Sequence, residues 1–171
     1  MSQHFIMDLI NLPDFDLVRM SQRSEGWVAI LRPTLRSFLC PICGSRSIPH
    51  KRGKTRTLRH RVTPHFGFIC VEVPCYHEQC TNCFSVWSVK WEGIPQRGKS
   101  TELFKEITSS LCHETTIQAV SRAYQIPYTT LERWYYQWAE RQNEVISRRR
   151  NTPKIICLDD FSRHSTFYER T

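Results

Sequence analysis

Two rhythms of apolar and polar residues run along this chain. Between about residues 31 and 95 the apolar positions alternate. "FGFICVEV" sets Phe66, Phe68 and Cys70 on one face and Ile69, Val71 and Val73 on the other, and "VWSVKW" alternates Trp87, Val89 and Trp91. A period of two predicts half-buried strands. From 101 to 147 the spacing lengthens to three and four. Leu103, Phe104, Ile107 and Leu111 recur in "TELFKEITSSL", and Val120, Tyr124, Ile126, Leu131 and Trp134 in the stretch after it. This predicts helices around a small core, with Thr101 as an N-cap and "QIP" as a turn. Pro127 suits the start of the next helix, where its missing N–H is unpaired in any case. Ser121 is small where two helices would cross.

Breaks in the rhythm set the boundaries. Residues 1–30 open with "FIMDLINL" and read as a tail or short helix. "IPQRGKS" links the strand region to the helices, and "RRRNTPK" leads to a final segment, 152–171, that begins as an apolar strand.

The 171 residues include eight cysteines. No apolar run approaches the roughly 18 residues of a membrane span. The N-terminus lacks the basic start and apolar core of a signal peptide. A cytoplasmic, nucleoid-associated chain without membrane contact is expected, and cysteines there serve as metal ligands more often than as disulfides. Cys40 and Cys43 form one Cys-x-x-Cys pair, and Cys80 and Cys83 form a second. Two such knuckles complete a tetrahedral structural zinc site with no position left for water. Buried thiol pairs or a redox site are the alternatives. The residues between the knuckles are expected to fold as a hairpin of "TRTLRHRV" and "GFICVEV". Cys70, Cys75 and His77 lack knuckle spacing and read as small packed side chains and a surface imidazole. Cys112 and Cys157 read as core.

Charge changes the picture further. The formal net charge is +8. From Gly26 to Val71 there is no Asp or Glu, while Arg46, Lys51, Arg52, Lys54, Arg56, Arg59 and Arg61 crowd the expected hairpin. A one-signed stretch of this kind suits a phosphate backbone. Arg148 to Arg150 make a second basic run, which equally suits a solvated surface. The helical pattern is that of a helix-turn-helix, whose second helix enters the major groove N-terminus first. That nominates Tyr128, Thr129, Thr130 and Arg133 for DNA contact, with Arg133 able to read guanine.

The order of "CPICGS", "YHEQCTNC", a helix-turn-helix and "IICLDDFSRHSTFY" resembles bacterial insertion-sequence transposases of the ISL-three family. The resemblance implies that the last element opens a ribonuclease-H-like domain. Asp159 would be the first acid of a DDE triad binding magnesium, with Asp160 where the family has Glu. The second Asp and the final Glu have no positions in this sequence, and two-metal chemistry needs several carboxylates.

The expected fold class is α+β: a four-cysteine zinc-binding β domain (31–95), a helix-turn-helix domain (101–147) and an incomplete ribonuclease-H-like strand pair (152–171). The expected function is binding of duplex DNA at terminal inverted repeats by a truncated transposase that does not cleave alone. Zn2+ would be structural, and Mg2+ would belong only to a complete catalytic domain. A second copy and a full-length transposase are its expected protein partners. The alternatives are a zinc-dependent helix-turn-helix regulator and an RNA-binding or protein-interaction zinc module.

Overall fold

The computed structural model describes residues 9–149 apart from Glu25, residues 35–37 and His65. Five strands come first: β1 (Phe15–Arg23), β2 (Gly26–Pro33), β3 (Ser47–Thr63), β4 (Gly67–Cys80) and β5 (Val86–Ser88). Three helices follow: α1 (Glu102–Glu114), α2 (Ile117–Tyr124) and α3 (Tyr128–Arg149). The class is α+β, as the two rhythms predict, and the sheet is mixed.

β4 is the spine of that sheet. It pairs along its length with β3, antiparallel, from Ser47 opposite Cys80 to Thr63 opposite Gly67. This is the hairpin expected between the knuckles. β4 also pairs with β2, in parallel, through Ile69 to Glu72, and with β5, antiparallel, through His77 to Gln79. β1 closes the far edge against β2. The alternation along β4 is realised, because Ile69, Val71 and Val73 are buried while Phe68 and Cys70 are half-buried. Val71 and Val73 join Ile10, Leu12, Phe15, Ala29, Leu31, Leu58 and Trp91 in one core. Each large side chain buried there contributes about 1.5–3 kcal/mol.

The boundary expected at residue 30 falls inside a strand. β2 runs across that position, and β1 and β2 extend the sheet. Gly26 makes this possible. It sits at φ 128°, and a Cβ there would lie 2.3 Å from the Phe68 carbonyl oxygen. Only glycine lets the parallel strand begin so close to β4. The strand expected through Trp91 also stops early. Gly93 turns the chain at φ 72°. The Trp91 ring then packs 5.0 Å from Phe15 and 5.5 Å from Phe38.

In α1, Thr101 caps the N-terminus by accepting from the Phe104 N–H at 3.3 Å. Its buried stripe is Phe104, Thr108 and Cys112, with Ser109 beside them. Leu103 and Ile107, expected in the core, are only half-buried. Thr108 can take the interior position because its hydroxyl donates back to the Phe104 carbonyl at 2.8 Å, leaving no buried donor unmet. Thr116 caps α2, and Gln125 ends it in the left-handed region, at φ 50° and ψ 46°. Ser121 closes this turn, donating to the Ile126 carbonyl at 2.7 Å. Pro127 lies one residue before α3, and its carbonyl accepts from the Thr130 and Leu131 amides.

Sheet and helices share contacts. Val62 of β3 packs on the helical core of Phe104, Cys112, Val120, Ile126 and Leu131. Phe68 and Tyr124 meet edge to face at 6.5 Å. His60 is fully buried between the two layers, with Nδ1 3.1 Å from Thr101 Oγ1. That hydroxyl already accepts from the Phe104 amide, so its proton is directed to the ring. Desolvation lowers the His60 pKa to about 4, against a smaller opposing effect of the Ile10 main chain.

Candidate metal centre and basic surfaces

The two knuckles are near copies of one another. In each, the first cysteine donates its amide to the serine five residues on: Cys40 to the Ser45 carbonyl at 2.8 Å and Cys80 to the Ser85 carbonyl at 2.9 Å. In each, the residue after the second cysteine is left-handed, Gly44 at φ 70° and Phe84 at φ 58°. Amides then turn onto the first sulfur, with Ile42 N–H 3.4 Å from Cys40 Sγ and Asn82 N–H 3.3 Å from Cys80 Sγ. Because β3 leaves one knuckle and β4 enters the other, their pairing brings the knuckles face to face.

All four sulfurs lie within 4.8 Å of one another. Cys40 to Cys83 is 3.6 Å, Cys43 to Cys80 is 3.4 Å and Cys43 to Cys83 is 3.7 Å. A tetrahedron built on metal–thiolate bonds of about 2.3 Å has edges of about 3.8 Å. The set is therefore of the size and chemistry to hold one metal ion. Ser85 bridges Cys40 Sγ and Cys83 Sγ at 3.4 and 3.1 Å. Its hydroxyl lowers the Cys40 pKa. Ser45, through side chain and amide, lowers that of Cys43 to about 6, whereas burial raises Cys80 to about 11. Ser45 and Ser85 are sites the cysteine count misses. Their signal was the repeat Cys-x-x-Cys-x-Ser in "CPICGS" and "CTNCFS".

Cys70, Cys75 and His77 are outside the cluster. The His77 ring instead meets Ser88 Oγ at 3.1 Å.

The basic residues divide into two sets. Arg46 and Lys54 are exposed and Arg61 is half-buried. Lys51 and Arg52 lie on β3, with side chains outside the described set. Arg56 and Arg59 are engaged by the fold through backbone carbonyls. Arg56 donates to the Pro95 carbonyl at 2.7 Å and the Gly98 carbonyl at 2.8 Å. Arg59 donates to the Tyr124 and Gln125 carbonyls at 3.0 and 2.9 Å, with its guanidinium over the Phe68 ring. It thereby neutralises the negative end of α2 and ties that helix to β3. Sequence spacing counts these charges but not what the fold does with them.

At the start of α3, Tyr128, Thr129 and Arg133 are exposed and Thr130 is half-buried. The first turn carries no acid. The Glu132 carboxylate beside it raises the Tyr128 phenol above its ordinary range. Asp159, Asp160, Cys157, Arg150 and the whole of 152–171 lie outside the described residues. Among the described residues no helix is long and apolar enough to cross a membrane. Comparisons with protein families, with curated proteins and with solved structures find no match.

Proposed function

We propose that this chain binds double-stranded DNA as the end-recognition segment of a transposase resembling the ISL-three family, with zinc in the four-cysteine site. The observation that carries the reading is the mounting of α3. Its first turn is free of acids and exposes Tyr128 and Thr129, and Arg133 is exposed in the next turn. Arg59 fixes the turn before it onto a basic strand. A helix N-terminus favours phosphate, and side chains there reach base edges in a major groove. Zinc is the metal of choice because four thiolates in a closed tetrahedron suit a structural ion without redox chemistry. The reading assigns recognition of terminal inverted repeats to this chain. Cleavage with magnesium would belong to a complete set of catalytic acids that includes Asp159.

The test is duplex binding by the zinc-loaded chain, measured by fluorescence anisotropy against RNA of the same sequence at one ionic strength. Duplex DNA should bind more tightly, with preference for the ends of the encoding element. Arg133→Ala should cost about 1–3 kcal/mol on the preferred site and little on random DNA. Preference for RNA, or no binding by metal-loaded protein, would sink the reading.

A further inference from the structure

A cleft of about 540 Å³ opens between the linker ahead of α1 and the turn ahead of α3. Arg59, Arg97, Lys99, Lys105 and Arg133 line it, together with Thr130, and no Asp or Glu does. Two of these cations are occupied. Arg59 holds the end of α2, and Lys105 is paired with Glu102 at 2.8 Å while lying over the Trp134 ring. Arg97, Lys99 and Arg133 are exposed and form no ion pair among the described residues.

The linker that carries Arg97 and Lys99 is held in shape. Arg56 clamps the Pro95 and Gly98 carbonyls. The Arg59 amide donates to the Lys99 carbonyl at 2.8 Å, and the Thr101 amide returns to the Arg59 carbonyl at 2.9 Å. Gly98 makes the bend at φ 101°, a conformation other residues rarely adopt. The linker is thus strapped along β3, and its two free cations face the helix whose first turn lacks acids.

We propose that this cleft is a phosphate-binding site, with Arg97 and Lys99 of the linker and Thr130 of α3 around one or two phosphodiesters of a DNA strand, while Arg133, which also lines it, is left to the base edges. The proposal rests on the DNA-binding reading and adds to it. Arg56 acts as a positioning residue, and the linker becomes part of the interface rather than a spacer. Each cation that neutralises a phosphate releases a counterion and steepens the salt dependence of binding.

The test compares Arg97→Ala/Lys99→Ala with Arg19→Ala/Arg32→Ala, a matched loss of two charges on β1 and β2, away from β3 in the sheet. Duplex affinity is measured across a salt series, and zinc content and thermal midpoint serve as fold controls. The linker variant should weaken binding roughly tenfold or more at low salt, equally on preferred and random duplex. The slope of log K against log salt should become shallower by about 2. The β1–β2 variant should keep the parental slope. An unchanged slope in the linker variant, or an equal loss in both variants, overturns the proposal. Inorganic pyrophosphate titrated against the amide resonances of Gly98, Lys99 and Thr130 separates the two readings. If the parent binds no duplex yet these resonances shift, the DNA reading fails and the anion site stands. If they do not shift and no duplex binds, both fall.

Discussion

At the scale of single residues, His60 has the most definite physical consequence. It is 0% exposed and its ring stays neutral in the fold. The unfolded chain takes up a proton near the ordinary value of 6.5, whereas the folded chain resists until about pH 4. The unfolded state therefore binds more protons within that window, and stability falls as pH drops through it. Between pH 7 and pH 5 the loss should be about 2 kcal/mol, read from urea midpoints at each pH. His60→Gln should flatten this dependence. If the parent and the variant lose stability in parallel over that range, the buried neutral ring is not the cause. Phe84 and Gly44 show how far single residues were legible. Both are left-handed and both follow the second cysteine of a knuckle. Gly44 announces its conformation, but Phe84 does not, because only the knuckle hydrogen bonds impose it.

At the scale of elements, the periods identify β4 and the three helices by their spacing. They misjudge the helix faces, because period counting treats Thr and Ser as polar. Thr108 enters the interior by bonding to its own helix. β1 and β2 carried a signal, two strand-like runs around "SEG", which the opening "FIMDLINL" obscured. The joint between elements is Arg59. Its guanidinium satisfies two carbonyls at the end of α2 that would otherwise lack partners. Arg59→Met should cost about 2–3 kcal/mol, since a hydrogen bond from a charged donor contributes roughly 1.5–3 kcal/mol. Arg61→Met on the same strand should stay within about 0.5 kcal/mol. Equal midpoints for the two variants in urea would show that the joint bears no load.

For the whole molecule, the four-cysteine cluster and the helical unit are joined through one strand. β3 begins beside the first knuckle and delivers Arg59, His60 and Val62 to the helices at its other end. With zinc bound as proposed, a structural four-thiolate site would contribute roughly 10–16 kcal/mol of binding free energy. That is comparable with the entire stability of a domain this size, about 5–15 kcal/mol. Chelation should therefore melt the sheet and undock the helices in one transition, with far-ultraviolet helix signal and tryptophan fluorescence falling together. A helix signal that persists unchanged after metal removal would show that the two parts fold independently.

Local choices were legible along the chain: where it alternates, where it turns helical, and that two knuckles supply four thiolates. These depend on residue type at short range, through pleat, helical pitch and tight turns. Tertiary structure alone decided which charges remain available. Arg56 and Arg59 look no different in sequence from Lys54 and Arg61, yet the first two are spent on carbonyls from distant segments. Arg97 and Lys99 look like linker residues, yet the fold brings them opposite Arg133. The physical reason is that a hydrogen bond or a shared cleft depends on position in space, and positions far apart in the chain become neighbours only when β3 pairs with β4 and the helices dock against them.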